Sequence, residues 1–563
     1  MFKHKSVLYI LLLAVLFTIY LVDSLRMMPF AFDDAYIHFR IAENFARLGR
    51  PYYNPTEPVF TTSSFIWTCI LTFFAKINLP LTVAVAVSNA FISVLGAWLW
   101  SRFLRPNIEK YPRAFEYLFM VVYIGAILPS AVGLMEAPFA LLLLGLAINL
   151  IGRQNQWGMA LLGVAVYIRY EFAVFVILIG LYWLIRTKSW RERIIGLIAF
   201  LVPFGLVTGV IFHYFGTLVP NTVYAKQMIY YVRLQNVINN VFFSIFPSGK
   251  FVLALGAQSG NATVQSLAAL FPPVWKAVLV LVIISALTFL IYKNPHVRIN
   301  SLKGNLVILL GGLGIATGYI VKKVFLFDWY LPLYIIPILL GIYAIAQFEL
   351  RKDDSESLSA TWITRSRRVS IIILTICVSL QPIYNLAAYS YASFFDLTKI
   401  PSAPMSLRVQ RYMEIGRVLN DEFPNATLLT NEIGGLGMGF RGKIIDVSGL
   451  VSPEVFQYFP GVDDDAEANK TSGTLYDKII GVVRPDLIVT YPLLVGNFDS
   501  SSEKTDYVKL TVPALARYWQ GVTGYSDVWG SPDLYIYVRK EVLTPELEAD
   551  VLLKIEQQDR LHK

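Results

Sequence analysis

Long apolar runs recur along the first 390 residues of this chain, and no other feature constrains its fold as tightly. A helix rises about 1.5 Å per residue, so about 20 residues are needed to cross roughly 30 Å of hydrocarbon. After a first run from Val7 to Leu25, further runs cover Phe65–Ile77, Thr82–Leu104, Ala114–Val132, Met135–Gly152, Trp157–Ile168, Phe172–Ile185, Ile194–Phe215, Val274–Ile291, Gly304–Val321, Trp329–Phe348 and Val369–Ser390. Several fall short of a full crossing, which predicts tilted, broken or shielded segments. Composition agrees: 56% of residues are hydrophobic and 15% charged, against about 25% charged in soluble proteins.

The net charge of +9 comes mainly from short basic clusters between apolar runs. These are Arg102, Arg105, Lys110 and Arg113; Arg186, Lys188, Arg191 and Arg193; Lys293, Arg298 and Lys303; and Arg365, Arg367 and Arg368. Placing them in the cytoplasm satisfies the positive-inside rule and accounts for the basic balance without a nucleic-acid partner. The first run, with Lys3 and Lys5 before it, reads as an uncleaved helix. Loops 26–62 and 216–273 then face outward, as does everything after residue 390. Residues 62–104 must cross an odd number of times yet contain two apolar segments, so the expected total is 11–13 transmembrane helices. Cys69 and Cys377 both lie in apolar runs, which excludes a disulfide framework and a cysteine zinc site.

Residues 391–563 are more polar and contain no apolar run of 18 residues. Strands are expected at 427–430, 443–447, 487–491 and 534–538, with helices at 408–420, 477–482 and 545–558. Gly434–Gly439 reads as a turn, because no helix pattern opens after it as a dinucleotide-binding motif requires. The expected fold is a polytopic α-helical membrane protein, residues 1–390, carrying a C-terminal soluble α/β domain, residues 391–563.

Ionisable residues near the outward ends of apolar runs are the candidates for chemistry. Asp33 and Asp34 follow the first helix. Two adjacent acids beside an apolar surface repel each other and lose hydration, which raises a pKa towards that of a general base; equally, they can cap a helix. Glu136 stands at the end of a run. Arg169 and Glu171 interrupt two apolar halves, as a functional pair or as a structural ion pair. His213, Asn221, Tyr224 and Lys226 form a polar aromatic segment. Lys322, Asp328 and Tyr330 form another, and basic residues on the outer face call for an anion such as phosphate.

Taken in order, these pieces resemble a known group. They are Asp33 to Asn44, Tyr53-Asn54-Pro55, Thr62-Ser63-Ser64, Gly133 to Glu136, Arg169-Tyr170-Glu171 and Pro220 to Lys226, with weaker matches at Glu432 to Gly434 and Asp446 to Pro453. The chain resembles the GT-C glycosyltransferases, in the branch of the mycobacterial terminal arabinofuranosyltransferase, although Tyr170 stands where that group often has Pro. The resemblance implies an inverting transfer of a sugar, arabinofuranose in that branch, from a polyprenyl-phosphate donor to an extracytoplasmic glycan, lipid or protein, at the plasma (inner) membrane. Asp33 or Asp34 would be the base. Arg40, Arg169, Lys226 and Lys322 would hold the donor phosphate. His38, Glu136, Glu171, His213, Asn221, Tyr224, Asp328 and Tyr330 would position sugar or acceptor. No motif demands a cofactor, and a divalent cation is left open. The alternatives are a flippase for lipid-linked sugars, which predicts inverted repeats, and a non-enzymatic assembly factor.

Overall fold

The apolar runs form helices because nothing in the hydrocarbon can satisfy a backbone polar group except the helix itself. The computed structural model describes residues 2–104, 114–228, 232–245, 300–351, 361–401, 403–459, 474–492, 495, 498–515 and 532–561. The expected span Val274–Ile291, most of loop 216–273, and the basic residues Arg105, Lys110, Arg113, Lys293 and Arg298 lie outside them. The first helices are α1 (Phe2–Arg26), α2 (Asp33–Leu48), α3 (Phe65–Lys76), α4 (Leu81–Ser101), α5 (Ala114–Val132) and α6 (Ala137–Gly152). They are followed by α7 (Trp157–Ala165), α8 (Ala173–Arg186), α9 (Trp190–Phe215), α10 (Asn221–Met228) and α11 (Leu234–Ile245). After these come α12 (Asn300–Lys322), α13 (Leu331–Arg351) and α14 (Thr361–Phe394).

Six described helical stretches are long and apolar enough to cross a membrane: Leu81–Leu104, Ala114–Val132, Trp190–Phe215, Gly304–Lys322, Asp328–Gln347 and Val369–Phe394. The chain is a multi-pass membrane protein. Along α9, Leu197, Leu201, Leu206 and Phe212 are exposed, an apolar surface suited to lipid.

The crossing conflict at 62–104 falls on α3. Its 12 residues make a helix of about 18 Å, too short for the hydrocarbon. Trp67 and Leu71 of α3 share one buried cluster with Leu81 and Val85 at the start of α4 and with Leu134 and Met135 before α6. Of the two apolar segments, only α4 with the turn after it (Leu81–Leu104) is long and apolar enough to cross. The expected runs Trp157–Ile168 and Phe172–Ile185 form two short helices, of 9 and 14 residues, separated by Arg169 and a 3₁₀ turn, Tyr170–Phe172.

Beyond α14, helix α15 (Ala403–Glu422) leads into a five-stranded sheet. Its strands are β1 (Thr427–Thr430), β2 (Lys443–Asp446), β3 (Leu487–Thr490), β4 (Tyr507–Pro513) and β5 (Asp533–Arg539), in the order β2-β1-β3-β5-β4. β1 pairs in parallel with β2 and β3, while β5 runs antiparallel to β3 and β4. β3 is buried at every position, as a parallel strand covered on both faces should be. Strand β4 was not anticipated: its run is diluted by Lys509, Thr511 and Pro513, residues that suit an exposed edge strand. Helices α16 (Gly434–Gly439), α17 (Thr474–Val483) and α18 (Pro545–Leu561) accompany the sheet. The turn expected at Gly434–Gly439 is thus a short helix.

Polar side chains from the first loop fasten this unit to α2. Asn54 both donates to the Ile444 carbonyl at 2.8 Å and accepts from the Ile444 N–H at 3.1 Å. The Tyr53 hydroxyl donates to the Ile433 carbonyl at 2.5 Å. Arg40 donates to the carbonyls of Tyr53, Gly437, Phe440 and Gly442 at 2.5–3.0 Å. Each buried carbonyl would cost about 1–3 kcal/mol if left unpaired, so these contacts fix the sheet unit against the helix that begins with the two acids.

Candidate active site

Asp33 and Asp34 are the first two residues of α2. Successive helical residues point about 100° apart, so the pair divides between two environments. Asp33 turns to the sheet unit. Its Oδ2 accepts from the Gly434 N–H and its Oδ1 from the Gly435 N–H, both at 2.8 Å. The free N–H groups of a helix start attract an anion, and a side chain at Gly434 would collide with Asp33 itself.

Asp34 turns the other way, into a cavity. His38, one turn along α2, lines the same space, as do Thr61, Thr62 and Ser63 from the first loop. Glu136 and Arg169 enter from the loop before α6 and from the break between α7 and α8. Lys226 comes from α10, and Phe327, Trp329 and Tyr330 from the segment before α13. Regions more than 400 residues apart in sequence, from Asp34 to Leu450, meet here.

The charges in this space are arranged rather than scattered. Arg169 Nη1 lies 2.5 Å from Glu136 Oε1, and its Nη2 and Nε donate to the two oxygens of Glu171 at 2.6 and 3.1 Å. Ser64 Oγ also donates to Glu136, at 3.0 Å, and Tyr319 donates to Glu171 at 2.7 Å. Two carboxylates thus neutralise one buried guanidinium. Burial pushes the Glu171 carboxyl up, but the Arg169 guanidinium outweighs it and holds the group at about 2. Lys226 differs: among the described residues no carboxylate lies within ion-pair distance of it. Its ammonium hydrogen-bonds the Tyr330 hydroxyl and sits 4.3 Å from that ring's centre, with the Arg169 guanidinium 4.7 Å from the same ring.

Asp34 is pushed up to about 7, chiefly by burial, against the attraction of Lys226 and with the help of the acids Asp33 and Glu136. A carboxyl poised there can accept a proton near neutrality. His38, whose Nδ1 lies 3.2 Å from Thr62 Oγ1, is lowered by burial and favours the neutral ring. No group of three or more His, Cys, Asp or Glu that could hold a metal ion occurs among the described residues.

The structure brings together Asp34, His38, Glu136, Arg169, Lys226 and Tyr330 at the cavity, with Glu171 behind Arg169. It does not bring in the others. Arg40 is corrected from a phosphate ligand to a structural clamp, because its guanidinium is buried and committed to backbone carbonyls. Asn221 is corrected from sugar binding: its amide donates to the carbonyls of Gly449 and Leu450. His213, Tyr224, Lys322 and Asp328 are exposed and do not line the cavity. Phe327, Trp329, Thr222 and Leu450 also line it, though the sequence alone assigns them no role. Trp329 and Thr222 stand in the polar aromatic segments around Tyr330 and Asn221, and Leu450 in the weak match Asp446 to Pro453.

The site is that of a membrane protein with a buried acid, a paired guanidinium and a separate ammonium in one chamber. A family model described as a domain of unknown function (DUF8728) matches residues 404–537. No curated relative matches the sequence. Among solved structures, ArnT from Cupriavidus metallidurans bound to undecaprenyl phosphate is similar at 13% identity and a TM-score of 0.48, over 96% of this chain and 99% of that one. The apo structure of the same protein gives 13% identity and a TM-score of 0.42, over 96% and 100%.

Proposed function

We propose that this chain is a GT-C type glycosyltransferase that moves a sugar from a polyprenyl-phosphate donor to a hydroxyl acceptor on the extracytoplasmic side of the plasma membrane. The observation that carries this reading is the meeting of Asp34, raised to about 7, with Lys226 in one cavity at the end of an apolar helical bundle. The division falls near residue 390, with the transmembrane part supplying the chemistry.

The reaction needs little more than these groups. The acceptor oxygen forms a bond to the anomeric carbon while the bond from that carbon to the phosphate oxygen breaks. The electron pair leaves with the polyprenyl phosphate, and the acceptor proton passes to Asp34. Phosphate is a good leaving group, so no general acid is required. Lys226 meets the negative charge that grows on the departing phosphate, where a fixed cation in a water-poor site acts most strongly. Attack from the side opposite the phosphate inverts the sugar carbon. Glu136 and Arg169 hold the chamber's shape, and the hydroxyls of Thr61, Thr62, Ser63 and Thr222 supply donors and acceptors for a sugar. Arabinofuranose is the sugar that the sequence resemblance favours.

The test is Asp34→Asn. Loss of a positioned base costs about 10²–10⁴-fold in rate, so transfer from a polyprenyl-phosphate sugar should fall by that factor while undecaprenyl phosphate still binds the purified protein. Unchanged transfer would remove Asp34 as the base, and a wild type that binds the lipid-linked sugar without transferring it would favour a flippase.

A further inference from the structure

One wall of the cavity is not built by the transmembrane part. Leu450 lines it and belongs to the loop that follows β2 in the sheet unit. That loop is rigidly held from both sides. From within, the Asp446 carboxylate accepts from the N–H groups of Ser448 and Leu450 at 2.8 and 2.6 Å. Gly449 takes a left-handed φ of 74° that lets the chain turn. From the helical side, the Asn221 amide grips the carbonyls of Gly449 and Leu450, one residue before Thr222 and five before Lys226.

We propose that this loop, Val447 to Ser452, is the acceptor-side wall of the active site, that it selects an uncharged glycan, and that Leu450 determines this specificity. The inference rests on the glycosyl-transfer reading. A donor's polyprenyl tail must stay in hydrocarbon, so its phosphate enters from the membrane. The loop belongs to an open five-stranded sheet, whose unpaired edges hydrocarbon does not accommodate, so the wall this unit supplies faces the aqueous approach, where the acceptor arrives. The sequence Val447-Ser448-Gly449-Leu450-Val451-Ser452 carries no charged side chain. Beside it stand the hydroxyls of Thr61 and Thr222. An isobutyl group packs against the C–H face of a sugar while hydroxyls meet its O–H groups; a charged acceptor would find no partner on this wall. Asn221 is then a positioning residue that acts through Leu450.

Leu450→Trp, which fills the wall, and Leu450→Ala, which empties it, should be compared with wild type as full-length protein in detergent. Undecaprenyl phosphate affinity and transfer of label from prenyl-phosphate sugar to membrane glycan are both measured. Leu450→Trp should bind undecaprenyl phosphate within about twofold of wild type (a difference below about 0.4 kcal/mol) yet transfer at least tenfold less. Leu450→Ala, and Asn221→Ala, should raise the apparent KM for glycan more than they lower kcat, and Asn221→Gln should recover part of the loss. A tenfold loss of undecaprenyl phosphate affinity in Leu450→Trp would make this the donor wall, and full transfer by both Leu450 variants would make it no wall; either result overturns the assignment. If wild type neither binds undecaprenyl phosphate nor transfers sugar, the glycosyl-transfer reading fails and this wall with it. A failure confined to the variants overturns the wall alone.

Discussion

Asp33 and Gly434 meet across the seam between α2 and α16, with the carboxylate accepting the Gly434 N–H at 2.8 Å and the Gly435 N–H at the same distance. The adjacent acids therefore divide the labour: one holds the sheet unit in place and the other faces the cavity. Asp33→Asn keeps one oxygen acceptor but sets an amide N–H against a backbone N–H. The expected result is a loss of about 1–3 kcal/mol in stability, the usual cost of an unpaired buried group, with a modest drop in transfer and a small shift to lower pH of the point at which transfer switches on, because the Asp33 charge helps to raise Asp34. Thermal melting and a pH profile, run beside Asp34→Asn, check this. Equal losses from the two substitutions, with equal pH effects, would contradict the division.

The pH dependence follows from Asp34. A base must be ionised to take a proton, so transfer should rise with pH through about 7 and then level off. The sign for stability is opposite. The folded value lies above the unfolded value of about 3.9, so the contribution of this group favours the fold at low pH and is lost as pH rises from about 4 to 7. Asp34→Asn should remove the rising limb of activity and flatten that part of the melting profile. A limb that stays near 7 in Asp34→Asn assigns the proton to another group.

Arg169 holds two carboxylates in a buried position, and only a fork of donors can serve both. Arg169→Ala leaves Glu136 and Glu171 facing each other without a cation, which costs about 3–5 kcal/mol for a broken buried pair. Arg169→Lys supplies one charge at one point and should recover only part of the loss. Melting temperatures in detergent check the order wild type, Arg169→Lys, Arg169→Ala; a melting point unchanged in Arg169→Ala would deny the pair its structural role.

Much of this was legible in the sequence, and the reason differs from residue to residue. The membrane spans follow from hydropathy, and Asp33 and Asp34 stood out as adjacent acids beyond a span. Which acid faces the cavity depends on helix rotation and on a partner about 400 residues away, and neither is written locally. Arg40 illustrates the same limit. The resemblance implies a phosphate ligand at Arg40, but the carbonyls that occupy it come from Gly437, Phe440 and Gly442. Strand β4 was lost because an edge strand is only half covered and need not read as apolar. Leu450 was lost because an ordinary leucine acquires its role only from the loop that Asn221 and Asp446 hold.

Lys226 is the remaining group whose role can be isolated. Its ammonium rests on the Tyr330 ring, 4.3 Å from the centre, and hydrogen-bonds that residue's hydroxyl, which orients it without cancelling its charge. Arg169 is already neutralised by Glu136 and Glu171, so an arriving phosphate must draw chiefly on Lys226. A hydrogen bond to a charged group contributes about 1.5–3 kcal/mol, which corresponds to roughly 10–100-fold in affinity. Lys226→Ala should weaken undecaprenyl phosphate binding by that factor and leave the melting temperature nearly unchanged, since no carboxylate is left unpaired. Lys226→Met, which keeps the apolar stem over the ring, should lose as much affinity as Lys226→Ala, because the charge is what the phosphate meets. Full affinity in both variants would place the phosphate elsewhere.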